Sequence, residues 1–500
     1  MEKNIRKLLN ILFLVLLALF VRIALEIVYQ TLELILEFSP TAGFFIRTLF
    51  LVVVLIIWIS VTLRSDSVHH KLSWLLILFF EPVIGLTLFL SFGRSFKNSK
   101  RYKKRPLLEN ETFFNQSKPY NDDDIFKETC SLTKRAVFKN TKVLRFKNGE
   151  AYYPHLIETL KNAKESILFE VYIFRSDTRG KEILNILIDQ AEKGLDVKII
   201  LDAFGSLSRL SRFDKKRLKA SKVDLLYFDR VYFPFFNTRL NYRNHRKIIV
   251  VDGAKGYLGG MNIGDEYDNS ILYDYHFRDT HLFIEGDGIR SLVEIFLKDY
   301  YYLTGIVLDE NPYIKTHPIN HQSAVQIIES GPNSKVPYIR DTYLHLIHHA
   351  KKSIKIMTPY MAIDAETFTA LKSARARGVK IDIIIPGIPD KYLVYIVTKY
   401  FAHAFSELDI HVYTYQPGFT HAKIFMVDDS LVSVGSYNLD NRSAMIDFEI
   451  TLLSNDQTLI KDLTDDFNQD LLDSVDIKEE KRNLFTRLFE GLLSLFSPII

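Results

Sequence analysis

Two segments of this 500-residue chain carry the same residue types in the same frame. His245-x-Lys247-x-x-x-x-Asp252 is followed by Gly259-Gly260-x-Asn262, and His421-x-Lys423-x-x-x-x-Asp428 is followed by Gly435-Ser436-x-Asn438. Five fixed positions arise by chance at about one start point in three million under uniform residue usage, so a second copy marks a duplicated unit rather than luck. The fold must therefore build two equivalent sites, as two similar halves facing one another would.

The stretches from His245 to Asp252 and from His421 to Asp428 are rich in branched residues and bounded by turn formers, which predicts strands. Side chains two apart on a strand share a face, so His245 and Lys247 are expected to project together, as are His421 and Lys423. A neutral imidazole beside an ammonium outlines a phosphate site: the lysine holds non-bridging oxygens, and the histidine attacks phosphorus or moves a proton. Asn262 and Asn438 follow the next short strand, where their amides are expected to donate to the same oxygens. Asp252 and Asp428 complete the catalytic motif in sequence. They fall out of phase with the histidines and are expected to fix the turn and the lysine geometry rather than enter the chemistry.

The repeat reaches beyond the motifs. Lys193-Gly-Leu-Asp-Val-Lys-Ile-Ile matches Arg377-Gly-Val-Lys-Ile-Asp-Ile-Ile, with Gly378 lying 184 residues after Gly194; the motif histidines are 176 apart, so the second half is slightly shorter. Ser166-Ile-Leu-Phe-Glu-Val-Tyr-Ile and Ser353-Ile-Lys-Ile-Met-Thr-Pro-Tyr each follow a helical stretch containing Ala-Lys, giving αβαβ order twice. This predicts two α/β units with helices packed on mixed sheets. The expected divisions are a membrane region (1–93), a basic and polar linker (94–130), a first α/β unit (131–310), a second (311–480) and an amphipathic tail (481–500).

At the two motifs, and at Arg278-Asp279-Thr-His-Leu-x-Ile-Glu-Gly and Asn438-Leu-Asp440-x-Arg442-Ser443, the chain resembles the phospholipase D superfamily and, within it, the bacterial cardiolipin synthases, from about residue 72 to the C-terminus. Phe277 stands where that family often has Trp. The resemblance implies phospholipase D-like α/β units in pseudo-twofold arrangement, with one histidine forming a phosphohistidine and the other protonating the leaving alcohol. It implies phosphatidyl transfer between two phosphatidylglycerol molecules, giving cardiolipin and glycerol. A phospholipase D-type hydrolase or another phosphatidyltransferase of the superfamily is the alternative. His245 is taken as nucleophile and His421 as general acid then base, an order the symmetry of the motifs leaves open. No cofactor or metal is expected, since Lys247 and Lys423 supply the charge that stabilises the transition state.

Asp279 and Glu449 begin strands at comparable places after their motifs and are candidates to accept the distal imidazole N–H, which would fix the tautomer. Glu266 competes with Asp279 in the first half, and an ordinary surface salt bridge is the alternative. Lys plus Arg number 64 against 60 Asp plus Glu, a net charge of +4 that excludes a strongly basic nucleic-acid binder. The one cysteine, Cys130, excludes an intrachain disulfide and fits a reducing compartment. No Cys/His cluster shows metal-ligand spacing, and His69-His70 and His348-His349 read as surface pairs.

Three apolar stretches precede these units, at 8–29, 44–63 and 72–92. The second is the cleanest, close to the roughly 20 residues needed to cross a bilayer. The first is interrupted by Arg22 and Glu26, and the third by Glu81-Pro82; no small-residue cleavage site follows the first, so a cleavable signal is not expected. Lys3, Arg6 and Lys7 at one end and seven Lys and Arg between Arg94 and Arg105 at the other both favour the cytoplasmic side, which requires an even number of crossings. The expectation is a multi-pass cell-membrane enzyme with crossings at 44–63 and 72–92, a short external turn at Asp66 to His70 and a cytoplasmic catalytic domain. A re-entrant stretch is the alternative. The basic run is expected to meet anionic lipid headgroups rather than nucleic acid. In the tail, Leu484, Phe485, Leu488, Phe489, Leu492, Leu493 and Phe496 form one helical face, suited to a membrane interface or to packing on the soluble core.

Overall fold

The computed structural model describes residues 40–497 apart from 65–67, 94, 106–122, 231–240, 272–275, 316 and 318. The 8–29 stretch lies outside the described residues. The chain divides into two units, residues 1–86 and 87–500.

In the first unit, the helix Pro40–Thr62 is apolar all round, and its Gly43–Thr62 segment (20 residues, mean hydropathy 2.7) is the one described helix long and apolar enough to cross a bilayer. The expected crossing at 72–92 is not one helix. It breaks at Glu81 into Val68–Phe80 and Pro82–Phe92, with Pro82 opening the second helix where its missing N–H is harmless. A Cβ on Gly85 would lie 2.9 Å from Ile77 O and Leu78 Cα. On a straight helix residues seven or eight apart are separated by about 10–12 Å along the axis, so the chain doubles back here and only glycine fits the turn. Helices of 13 and 11 residues rise about 20 and 17 Å, short of the roughly 30 Å hydrocarbon core.

The second unit holds two mixed sheets whose shared strand order displays the duplication. The first sheet runs Thr141–Lys147, Thr280–Gly286, Lys255–Gly259, Ile248–Val251, Ser166–Val171, Asp196–Asp202, Asp224–Phe228. The second runs Val325–Ser330, Glu449–Ser454, Leu431–Gly435, Ile424–Val427, Ser353–Met357, Lys380–Pro386, His411–Tyr415, with Val137–Phe138 and Ser474–Asp476 added at its edges. In each sheet the two strands of the αβαβ repeat and the strand after them are parallel, and the motif strand joins them antiparallel. Strand alternation distributes the core. Ile248 and Val250, with Ile424 and Met426, enter one central core shared by both halves, whereas Ile249 and Val251 face the first half's outer core and Phe425 and Val427 the second's.

Two expectations change. The motif strands start at Ile248 and Ile424, after the histidine and lysine, which lie on irregular segments. The linker is docked rather than loose where described: Phe96 and Tyr102 are buried, Phe96 packs on Tyr242 and Phe448, and Arg101 meets Asp229 at 2.6 Å. The helix Asp124–Thr133 sinks Phe126 into the second half's core, and the following strand Val137–Phe138 pairs with Val325 and Gln326, so this segment belongs to the second sheet.

Asp252 and Asp428 sit at the far ends of the motif strands in left-handed turns (φ 53° and 54°). Asp252 accepts the N–H groups of Lys164, Glu165 and Ser166 at 2.8–3.1 Å, and Asp428 those of Lys351, Lys352 and Ser353 at 2.7–2.9 Å. Each carboxylate clamps the start of the neighbouring parallel strand. They fix a turn, and the groups they bind are these backbone N–H donors rather than the lysines. Replacing Asp428 by Ala orphans three N–H groups and should cost about 1–2 kcal/mol of stability. Thermal unfolding should show that loss while turnover per folded molecule stays within about twofold; a large loss of kcat in folded protein would return Asp428 to the chemistry.

Candidate active site

Backbone pairing between the halves sets the site. Gly418–Thr420, directly before His421, runs parallel to His276–Arg278, directly before Asp279. Asn244, directly before His245, bridges in parallel to Phe448, directly before Glu449. The His421 N–H donates to the Arg278 carbonyl at 2.7 Å and the His245 N–H to the Phe448 carbonyl at 2.9 Å.

Each histidine therefore meets the carboxylate of the opposite half. Nδ1 of His421 lies 2.7 Å from Asp279 Oδ2, and Nδ1 of His245 lies 3.0 and 3.2 Å from the two oxygens of Glu449. An ionised carboxylate only accepts, so Nδ1 carries the proton in both rings and Nε2 keeps its lone pair. Both carboxylates are buried, unlike a surface salt bridge. Glu266, the competitor from sequence, is bound instead to Arg175 Nε at 2.7 Å.

The charges of the two halves act on one another. Burial, and after it Lys247, holds His245 well below the usual histidine range; burial, then Lys423 and Lys247, does the same to His421. Burial pushes Lys247 down to about 7 and Lys423 down to about 8, against the pull of Glu449 and Asp279 on both lysines. Burial also raises Glu449 to about 7 and lifts Asp279, with the lysines opposing. At neutral pH the two imidazoles are uncharged and stand among cations that are easily lost, which suits an anionic ligand whose charge would keep the lysines protonated.

Each lysine turns its ammonium onto the carbonyl of the histidine two residues earlier: Lys247 Nζ donates to His245 O at 2.6 Å, and Lys423 Nζ donates to His421 O. Tyr172 meets the His245 ring edge-to-face at 5.1 Å and lies under Lys247 Nζ at 5.7 Å; Tyr267 meets His421 in the same way at 5.7 Å. Sequence reasoning missed both tyrosines, although Tyr172 closes a quoted repeat and Tyr267 follows Asn262 by five residues.

The two asparagines diverge. Asn262 Oδ1 accepts the Ile173 N–H at 3.0 Å and its Nδ2 donates one N–H to the Tyr267 hydroxyl at 2.8 Å, so its amide positions a ring. Asn438 is buried, and its Oδ1 has no hydrogen-bond partner among the described residues. The small residues two positions before them are shaped by their own half's carboxylate. A Cβ on Gly260 would come within 2.2 Å of Asp279 Oδ1, whereas the Ser436 hydroxyl donates to Glu449 and accepts the Ile450 N–H at 3.0 Å.

Comparison with known proteins agrees with this geometry. The family model described as "Cardiolipin synthase, PLD-like domain" matches residues 156–270 and 343–471, one block around each motif. Among curated relatives, cardiolipin synthase 2 of Bacillus cereus is 34% identical over 455 residues, covering 88% of both chains, and cardiolipin synthase of Geobacillus sp. (strain WCH70) is 34% identical, covering 88% of this chain and 91% of the relative. Among solved structures, phosphatidylserine synthase of Haemophilus influenzae Rd KW20 superposes with a TM-score of 0.57 at 17% identity, over 76% of this chain and all of that one, which shows a shared fold. With two intact motifs meeting in one buried site and one-third identity along nearly nine-tenths of its length, the chain belongs to the bacterial cardiolipin synthases, phosphatidyltransferases of the phospholipase D superfamily.

Proposed function

We propose that the site joins two phosphatidylglycerol molecules into cardiolipin by two in-line displacements, and that the observation carrying this is the pair of imidazoles with free Nε2 atoms, each backed by the other half's carboxylate. Nε2 of His245 attacks phosphorus of the first lipid. The P–O bond to glycerol breaks, and the leaving alkoxide takes a proton from Nε2 of His421, protonated in the substrate complex. The resulting phosphatidyl-histidine is attacked by the primary hydroxyl of a second phosphatidylglycerol, whose proton returns to His421; the P–N bond breaks and cardiolipin leaves. Lys247 and Lys423 stabilise the extra charge on the pentacoordinate phosphorus. Asp279 and Glu449 hold the rings and stabilise their charged forms.

Given phosphatidylglycerol alone, the purified protein should yield cardiolipin and glycerol in equal amounts, whereas phosphatidic acid as the main product would make it a hydrolase. His245→Ala and His421→Ala should each abolish transfer in folded protein, with the trapped phosphohistidine on residue 245; a label on 421 would reverse the order. Asp279→Asn and Glu449→Gln should each lower kcat by about 10- to 100-fold or more.

The pH dependence follows from the depressed lysines and raised carboxylate. Glu449 accepts only when ionised, above about 7, and Lys247 and Lys423 are cations only below about 7 and 8. The profile of kcat/KM, which reports the free enzyme, should therefore be a narrow bell peaking between those values, and a flat profile from about pH 6 to 9 would contradict the assignment.

The enzyme is assigned to the cell membrane as a multi-pass protein with its catalytic unit in the cytoplasm. The helix Leu484–Ser494 supports a lipid-facing role: Glu490 is buried against Arg482 at 3.0 Å, while Leu484, Phe485, Leu488, Phe489 and Leu492 are exposed. Ser497 O accepts from Asn441 Nδ2 at 3.2 Å, tying this helix to the segment just after the second motif. With the 72–92 stretch folded back on itself, the second crossing required by two cytoplasmic charge clusters falls in sequence to 8–29. In a Cys130→Ser background, single cysteines in the 94–105 segment and at position 67 should resist an impermeant thiol reagent in intact cells and react after permeabilisation. Labelling of the segment from outside would overturn the cytoplasmic assignment, and labelling of position 67 alone would restore a crossing at 72–92.

A further inference from the structure

Away from the catalytic seam, three metal-ligating side chains from two helices converge. His345 and His349 stand one turn apart on the helix Tyr338–His349, on one face, and Glu128 reaches them from Asp124–Thr133. Glu128 Oε2 lies 2.8 Å from His345 Nε2 and 3.7 Å from His349 Nε2, and the donor atoms of all three lie within 4.8 Å of one another. His348 and His349 are both exposed, as a surface pair would be, and His349 turns towards Glu128 with His345, four residues earlier.

Three features make this more than a surface ion pair. His349 Nδ1 lies 2.9 Å from the His345 carbonyl, which only accepts, so Nδ1 is the protonated nitrogen and Nε2 presents its lone pair to the cluster, the support that metal-ligating histidines usually receive. His345 Nε2 is shielded from solvent and faces the Glu128 carboxylate at 2.8 Å. The frame is rigid, because Asp123 caps the first helix, accepting from Ile125 N at 2.9 Å, and Phe126 is fully buried in the same core as Ile339 and Tyr343 on the second.

We propose that Glu128, His345 and His349 bind one divalent ion of the zinc class, with water as fourth ligand. Two imidazoles and a carboxylate at tetrahedral reach are a zinc ligand set, and zinc, nickel and copper all favour imidazole. The ion would lock the helix that leads out of the linker onto the second half, stabilising the fold rather than taking part in transfer.

The test uses the full-length protein in detergent, stripped with EDTA, dialysed and titrated with Zn2+ in a calorimeter. One ion per chain should bind and raise Tm. A His345→Ala/His349→Ala double variant should bind at least about 100-fold more weakly and lose the Tm gain, while a His245→Ala/His421→Ala double variant keeps both. Cu2+ in the same site should show two nitrogen ligands by electron paramagnetic resonance, lost in a His349→Gln variant, whose exposed position is expected to leave folding intact. The stripped enzyme should keep its transfer rate below its unfolding range, which separates this site from the catalytic reading. Absence of binding at about 100 μM Zn2+, or binding unchanged by the histidine substitutions, would overturn the proposal.

Discussion

The crossed contact between each imidazole and the other half's carboxylate is the constraint on which the rest of the second unit depends. Burying two histidines, two lysines and two carboxylates together costs several kcal/mol per ion unless every charge is met. The structure meets them with backbone and side-chain partners: the Thr280 N–H donates to Asp279 at 2.7 Å, Ser436 donates to Glu449, and the histidine carbonyls accept from both lysines. Because the pairs cross, neither half holds a complete site, and the parallel backbone pairs just before each residue act as the hinge pins of the duplication.

Symmetry at the motif conceals different surroundings. The residue between His and Lys is Arg246 in one copy and Ala422 in the other. Arg246 is buried, bonds Asp299, reaches Glu329 at 2.8 Å and donates from Nε to the Glu449 carbonyl at 3.2 Å, so a buried ion network reaches into the motif itself on the His245 side. Ser436 likewise gives Glu449 a hydroxyl where Gly260 leaves Asp279 only space. Two copies of one motif thus acquire unequal electrostatics, which is what a nucleophile and a proton donor require of two otherwise equal histidines.

Access to lipid is built from both ends of this unit. At its start, Phe96 is locked into an aromatic cluster with Tyr242 and Phe448, neighbours of Asn244 and Glu449, so the segment arriving from the membrane region is anchored beside the seam. At its end, the amphipathic helix is held by its buried Glu490, presents an apolar face that is exposed among the described residues, and is tied through Ser497 to Asn441, just after the second motif.

The sequence by itself determined the duplication, the α/β alternation, the histidine and lysine pairs and the choice of Asp279 and Glu449, because these are matters of residue type at fixed spacing. The repeated Ala-Lys before Ser166 and Ser353 even marked the loops that Asp252 and Asp428 clamp, although the clamp was not foreseen. Only the tertiary structure decided that the carboxylates serve the opposite histidines, that Asn262 is bonded to Tyr267, that Glu266 belongs to Arg175 and that the 72–92 stretch folds back at Glu81. Spacing along a chain reports which side chains share a local element. Which of two equivalent partners a buried group meets is set by how two sheets close on one another, and that depends on packing between residues 142 and 204 positions apart.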